Sequence, residues 1–307
     1  MNVLYAGDPA QWPRYQPALA AAFAGAGIDA TIACDLPPAD VDYIIYAPNG
    51  PLSDFAPYTR AKAVLSLWAG VENVVTRVPA HLPLTRMVDQ GLKEGMVEWV
   101  SGQVLRHHLG LDPMINRTLG WTKAVPPLAR QRTIGILGLG ELGAACAAAL
   151  VALNFKVHGY SRRAKALPDV TCHSGPDGLA DILKVSEILV LLLPRTPDTE
   201  NTLNAETLAL LPKGAVIINP GRGALIDDDA LLAALNSGQI QHATLDVFRI
   251  EPLPQSHPFW THPGITVSPH IAAETRPETA SMVIAENIRR HMAGERVLHL
   301  VDRQAGY

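Results

Sequence analysis

Three ionisable side chains in the second half of the sequence each stand just past an apolar stretch of strand length. Arg222 follows AVIIN, Glu251 follows HATLDVF, and His270 follows ITVSP. If these stretches are strands of one parallel sheet, the three residues share its carboxyl edge, where open α/β sheets bind ligands. A guanidinium can hold a carboxylate, and an imidazole beside a carboxylate is kept charged as a proton donor. Singly, each could be a surface or turn residue, but together they predict a site that binds a small acid and protonates a carbonyl oxygen.

A glycine-rich loop precedes these residues. GLGELG follows the apolar stretch Ile134–Leu137 and opens an alanine-rich helix, Ala144–Leu153. The first glycine suits a tight turn, the second lets a pyrophosphate approach the backbone, and the third lets the helix pack on the strand. A tight turn without a ligand is the alternative, but the position at the head of a strand series favours a dinucleotide. The predicted contacts are Gly138, Gly140, Glu141, Leu142 and Gly143.

The end of the next strand bears on which dinucleotide is bound. NAD-binding sheets place an Asp or Glu there for the ribose 2′-hydroxyl. Here the strand ends in Ser161, Arg162 and Arg163, with no carboxylate. A hydroxyl and two guanidiniums suit a 2′-phosphate, so we expect NADPH to be preferred and NADH to bind more weakly. A solvated basic loop is the alternative.

Composition narrows the class of protein. With 307 residues, 48% hydrophobic and 18% charged, the chain predicts two globular lobes. A net charge of -4 with scattered basic residues disfavours nucleic acid. Three cysteines without a CxxC pair, and no long apolar run or signal segment, favour a cytoplasmic enzyme that neither binds nor crosses a membrane. No His or Cys spacing predicts a metal site.

Strand-like runs alternate with helical patterns, which predicts an α/β protein with parallel sheets. In the first lobe we expect strands at Val3–Ala6, Asp29–Ala33, Tyr43–Ala47 and Ala63–Leu67, and helices at Pro17–Ala26 and Val71–Arg77. A connecting helix, Gly91–Leu109, and an irregular arm, Trp121–Pro127, come next. Six strands follow, at Thr133–Leu137, Lys156–Tyr160, Ile188–Leu192, Ala215–Asn219, His242–Leu245 and Ile265–Val267. The last helix, Pro277–Met292, is expected to return to the first lobe.

Four motifs resemble those of the D-isomer-specific 2-hydroxyacid dehydrogenase family: GLGELG, NPGRGALIDDDALLAAL, LDVFRIEPLP and SPHIAAET. LLLPRTPDTENTL and the GERV and VDRQAGY segments resemble the glyoxylate/hydroxypyruvate reductase A branch of that family. The resemblance implies two open parallel-sheet lobes. One is a flavodoxin-like substrate domain, residues 1–98 completed by 277–307, and the other is a Rossmann NADP-binding domain, residues 99–276.

The resemblance also implies roles for individual residues. Arg222, Glu251 and His270 correspond to the catalytic Arg, Glu and His, and Arg222 and His270 also contact substrate. Leu193, Pro194 and Thr199 would border the adenosine and its ribose, while Pro220, Asp246 and Ala272 would line the nicotinamide. Backbone N–H groups of Ala69, Gly70 and Val71 would hold the substrate carboxylate. Tyr46 takes the place of an aromatic residue, usually tryptophan, that closes the substrate pocket.

These expectations combine into one reaction. We expect NADPH-dependent reduction of small 2-keto acids, glyoxylate to glycolate and hydroxypyruvate to D-glycerate, with His270 as acid and base. The arm and the family resemblance favour a homodimer. A reductase of bulkier 2-keto acids and a non-catalytic nucleotide-sensing module are the alternatives.

Overall fold

The computed structural model describes residues 1–118 and 120–306, which divide into two compact units. The first comprises Met1–Leu92 with Glu274–Tyr307, and the second comprises Lys93–Ala273. Within the described part of the chain, no helix is both long enough and apolar enough to span a membrane.

The first unit is built on a five-stranded parallel sheet. Its strands are β1 (Asn2–Ala6), β2 (Thr31–Ala33), β3 (Tyr43–Tyr46), β4 (Ala63–Ser66) and β5 (Leu84–Thr85). They lie side by side in the order β2-β1-β3-β4-β5, which is the flavodoxin-like order. Strand β5 was not predicted, because two residues are too few to show a strand pattern in the sequence.

Helices of the first unit cover one face of this sheet. They are α1 (Trp12–Gly25) and the last helix of the chain, α8 (Pro277–Met292). Ile284 and Ile288 of α8 share a buried cluster with Leu19 and Phe23 of α1 and with strand residues such as Ile45. The prediction that the final helix returns to the first lobe is confirmed, because its apolar stripe is buried there.

The prediction of a helix over Val71–Arg77 is wrong. Val74 donates a backbone hydrogen bond to Val71, and Val78 donates one to Val74, which gives consecutive turns and no helix. Three of these residues are valines, whose β-branched side chains disfavour helix, and Pro79 prevents the segment from continuing far enough to gain cooperativity.

The second unit holds a seven-stranded parallel sheet. Its strands are β6 (Thr133–Leu137), β7 (Lys156–Tyr160), β8 (Val170–His173), β9 (Ile188–Leu191), β10 (Ala215–Asn219), β11 (Ile240–Leu245) and β12 (Ile265–Val267). Six of the seven were predicted, with small differences at their ends. The missed strand, β8, is an edge strand paired with β7, and its short sequence VTCH has too little apolar periodicity to stand out.

The strands of this sheet lie in the order β12-β11-β10-β9-β6-β7-β8. Successive strands are added on one side of β6 up to β8 and on its other side from β9 onward, so the strand order reverses between β6 and β9. A Rossmann sheet binds its dinucleotide at this switch point, outside the carboxyl ends of the strands. Helix α2 (Gln90–Leu109) begins in the last residues of the first unit's N-terminal segment and continues into the second unit. The other helices of the second unit are α3 (Asp112–Ile115), α4 (Glu141–Ala152), α5 (Gly175–Val185), α6 (Ala205–Leu210) and α7 (Asp228–Asn236). The arm around Trp121–Pro127 is irregular, as predicted.

Candidate active site

Glu251 and His270 meet at the carboxyl edge of the second sheet. Oε2 of Glu251 lies 2.8 Å from Nδ1 of His270, and the other carboxylate oxygen accepts a 2.8 Å hydrogen bond from the backbone N–H of Phe248. An ionised carboxylate only accepts hydrogen bonds, so Nδ1 carries the hydrogen in this contact. The ring is about half exposed, which leaves its second nitrogen, Nε2, for a reacting molecule.

The backbone at His270 is set by the strand beside it. His270 has a φ of 54°, a region that residues other than glycine seldom occupy. Its N–H donates to the carbonyl oxygen of Asp246 at 2.8 Å, which fixes this turn against the end of β11. The imidazole is therefore presented by a defined backbone turn and oriented by Glu251.

Arg222 follows the neighbouring strand β10 and lies in a turn that Asn219 shapes. The buried Asn219 side chain donates to the carbonyl oxygen of Arg222 at 2.9 Å and accepts from the N–H of Gly221 at 3.1 Å. Gly223 packs so closely on the backbone of Phe248 and Arg249 that a Cβ there would collide with it. The turn that carries Arg222 thus lies directly against the loop that carries Glu251.

The glycine loop has the geometry that a dinucleotide loop requires. Gly138 has a φ of 109°, and a Cβ there would collide with the carbonyl group of Leu192. A Cβ at Gly143 would collide with the carbonyl oxygen of Gly138, so helix α4 can lie close to the strand only with glycine there. Around Gly140, which precedes the first turn of α4, the space is open within 4 Å of a Cβ position. The helix N-terminus is therefore accessible to an anion.

The basic loop after β7 lies beside the glycine loop. Lys165 donates to the carbonyl oxygen of Leu139 at 2.5 Å. The hydroxyl of the buried Ser161 donates to the carbonyl oxygen of Arg163 at 2.7 Å, which closes a tight turn. Arg162 and Arg163 are exposed on this turn. The donor set is positively charged and contains no carboxylate, which suits a phosphate better than a ribose hydroxyl.

A family model for the NAD binding domain of D-isomer specific 2-hydroxyacid dehydrogenases matches residues 103–272, more than half of the chain. The chain belongs to this family. Its members are oxidoreductases, so this chain is an oxidoreductase of the 2-hydroxyacid dehydrogenase family.

Relatives support the same membership over nearly the whole length. Glyoxylate/hydroxypyruvate reductase A of Serratia proteamaculans (strain 568) is 40% identical over 257 residues, which cover 81% of this chain and 82% of the relative. A D-isomer specific 2-hydroxyacid dehydrogenase from Xanthobacter autotrophicus Py2, solved in complex with NADPH and MES, is 40% identical with a TM-score of 0.92, covering 100% of this chain and 99% of that one. The NADPH-dependent glyoxylate/hydroxypyruvate reductase of Sinorhizobium meliloti, solved with NADP and sulfate, is 33% identical with a TM-score of 0.85 and the same coverage.

Asp246 of this dehydrogenase forms hydrogen bonds within the protein that its position in the sequence did not predict. It is fully buried, and one carboxylate oxygen accepts from the Ser268 hydroxyl at 2.6 Å and from the Ile271 N–H at 3.0 Å. The other oxygen accepts from the N–H of Ala272 at 2.8 Å. Asp246 therefore holds both flanks of His270, and its expected bond to the nicotinamide carboxamide stays a prediction.

The residues expected near the adenosine and nicotinamide lie on two loops of the same edge. The hydroxyl of Thr199 donates to the carbonyl oxygen of Pro194 at 2.7 Å and accepts from the N–H of Thr196 at 2.8 Å, so it closes the loop after β9. Leu193 is partly buried against the core, whereas Pro220 follows β10 and is buried. Their contacts with a cofactor remain predictions.

Of the residues expected to bind substrate from the first unit, Tyr46 is the last residue of β3, and the other three follow β4. Ala69 and Gly70 are partly exposed, and Val71 is buried. Tyr46 is wholly buried, its ring 5.3 Å from that of Phe55, and among the described residues its hydroxyl has no hydrogen-bond partner. Its expected role over the substrate also remains a prediction.

The described residues, 1–118 and 120–306, contain no group of three or more His, Cys, Asp or Glu side chains placed to hold a metal ion.

Proposed function

We propose that this chain is an NADPH-dependent reductase of small 2-keto acids that forms the D-2-hydroxy acid. The observation that carries the proposal is the 2.8 Å contact between Glu251 and His270, at the sheet edge that a dinucleotide loop also borders. An imidazole backed by a carboxylate is a proton donor suited to a carbonyl oxygen at neutral pH.

The cofactor fits the residues present. The open backbone at Gly140 and the N-terminus of α4 would hold the pyrophosphate, and Ser161, Arg162 and Arg163 would hold the 2′-phosphate. When bound, NADPH supplies the hydride that reduces the keto carbon. The 2-hydroxyacid dehydrogenase from Xanthobacter autotrophicus Py2 was solved with NADPH, and the Sinorhizobium meliloti relative is NADPH-dependent, which supports NADPH as the cofactor of this chain.

Side chains of the second unit would bind the substrate and transfer the proton. Arg222 binds the substrate carboxylate and polarises the keto oxygen with its fork of N–H donors. His270 donates a proton from Nε2 to that oxygen as the carbonyl is reduced, while its Nδ1 stays bound to Glu251. Glu251 stabilises the charged ring before transfer, and the Phe248 N–H keeps the carboxylate aimed at it.

The substrate we propose is glyoxylate or hydroxypyruvate. Two relatives, 40% and 33% identical to this chain, are glyoxylate/hydroxypyruvate reductases. The backbone N–H groups of Ala69, Gly70 and Val71 would bind the carboxylate, and Tyr46 would limit the size of the substituent on the keto carbon. The products would be glycolate and D-glycerate.

Steady-state kinetics test this assignment. Glyoxylate, hydroxypyruvate, pyruvate and phenylpyruvate are compared with NADPH and with NADH, and the first two acids with NADPH should give the highest kcat/KM. His270→Ala should abolish turnover while NADPH binding persists, whereas the control His262→Ala should leave turnover within about twofold, since His262 lies outside the proposed site. Arg162→Asp should reverse the cofactor preference.

A preference for phenylpyruvate would replace the small-acid assignment with a bulkier one. Tight NADPH binding without reduction of any of the four acids would reject the enzyme assignment, and an undiminished NADPH preference in Arg162→Asp would reject the proposed 2′-phosphate site.

A further inference from the structure

Arg249 joins the two loops that carry the proposed catalytic Arg222 and Glu251. It belongs to the loop after β11, two residues before Glu251, but its guanidinium donates to carbonyl oxygens just after Arg222. Nη2 and Nε donate to the carbonyl oxygen of Ile226 at 2.5 and 3.1 Å, and Nη2 also donates to that of Ala224 at 3.4 Å. One side chain therefore cross-links two turns that the chain separates by more than twenty residues.

The far side of the guanidinium is fixed as well. Nη1 lies 2.9 Å from Oε1 of Glu200, and Nη2 also donates to the side chain of Asn201, both in the loop after β9. Asp228, at the start of α7, lies 3.8 Å away and adds charge without a hydrogen bond. The guanidinium is thus held by hydrogen bonds to two loops, those after β9 and β10.

Close backbone packing also joins the Arg222 turn to the Glu251 loop. Gly223, next to Arg222, abuts the backbone of Phe248 and Arg249 so closely that no side chain fits there. Phe248 in turn holds Glu251 through its N–H at 2.8 Å. A shift of the Arg222 turn would be resisted by the guanidinium on one side and by this close packing on the other.

We propose that Arg249 is a positioning residue that sets Arg222 against the Glu251 and His270 pair and thereby determines the KM for the keto acid. The inference rests on the proposed function, because it assigns Arg222 to the substrate carboxylate. Arg249 acts through its fork geometry more than through its charge. Lysine has one ammonium group and cannot donate to Ile226, Ala224 and Glu200 in fixed directions at once.

The test compares Arg249→Met and Arg249→Lys with the control Arg132→Met. Arg132 is also partly buried and also forms a 2.9 Å ion pair, with Glu187, but it lies just before β6, at the opposite edge of the sheet. Arg249→Met should raise the KM for glyoxylate roughly 10- to 100-fold, as expected for losing a few hydrogen bonds that orient a binding group, while the KM for NADPH stays within about twofold. Arg249→Lys should recover only part of the loss, and Arg132→Met should leave both KM values near wild type.

Hydrogen–deuterium exchange of residues 221–228 gives a second measurement that needs no turnover. Exchange should accelerate in Arg249→Met and not in Arg132→Met, because only the former loses the contacts to these carbonyls. If the wild type reduces no keto acid, the proposed function fails, and the exchange result still reports on the cross-link. Unchanged exchange in Arg249→Met would overturn the proposal. So would rises in the KM for glyoxylate and the KM for NADPH that are equal in Arg249→Met and Arg132→Met.

Discussion

His107 is held neutral inside the second unit, and its burial makes stability depend on pH. Its Nε2 lies 2.8 Å from Oγ1 of Thr244 on β11, and its ring lies 5.0 Å from that of His242. Burial, His242 and Arg106 lower the pKa of His107 from 6.5 to about 4, while Asp112 opposes them. Protonating His107 therefore costs more in the folded protein than in the unfolded chain.

The size and sign of the effect follow from this pKa. At about 1.4 kcal/mol for each tenfold change in proton affinity, a fall from 6.5 to about 4 corresponds to about 3 kcal/mol. The unfolded chain binds the proton more readily, so this stability is complete above pH 6.5 and is lost as the pH falls to about 4. Burial also lowers the pKa of His242, so it changes stability in the same direction.

Urea unfolding followed by tryptophan fluorescence measures the effect at pH 7 and pH 4 in wild type and in His107→Gln. Glutamine can still form a hydrogen bond with Thr244 but cannot take up a proton. Between the two pH values the wild type should lose about 3 kcal/mol more than the variant. The exposed His81→Gln, used as a control, should follow the wild type. Equal losses in wild type and His107→Gln would show that the burial argument is mistaken.

Three further substitutions test the proposed active site and the turns that support it. Glu251→Gln should lower kcat for glyoxylate roughly 10- to 150-fold, since the charged ring loses an ionic hydrogen bond of about 1.5–3 kcal/mol; a rate within twofold of wild type would contradict this. Gly143→Ala should cost about 1–3 kcal/mol in urea unfolding because its Cβ collides with the loop, whereas Gly102→Ala, with open space, should not destabilise. Ser268→Ala should cost about 1–3 kcal/mol by the same assay, through its lost 2.6 Å bond to buried Asp246, and an unchanged midpoint would argue against that bond.

Local patterns were sufficient where a feature depends on neighbours in the chain. The strand from Thr133 to Leu137 and the helix after it were predictable because apolar periodicity and glycine spacing act over a few residues. The close packing of Gly143 on Gly138 agrees with the role that the motif predicted for it.

Features that depend on distant partners were not predictable in this way. Strand β8 is an edge strand, stabilised by pairing with β7, and its own four residues give little signal. The segment Val71–Arg77 has enough apolar residues for a helix, but β-branched side chains and a following proline leave it as turns. Neither outcome can be decided from a short window of sequence.

The amino-acid sequence by itself determined the α/β class, the glycine loop and the positions of Arg222, Glu251 and His270 at strand ends, because each follows from the order of residues along a short segment. Only the tertiary structure decided that Asp246 holds both flanks of His270 and that Arg249 ties the Arg222 turn to the Glu251 loop. These contacts join groups that lie more than twenty residues apart in the chain, and no local propensity specifies them. They exist because parallel strands bring their carboxyl ends to one edge, where the loops must satisfy each other's hydrogen bonds.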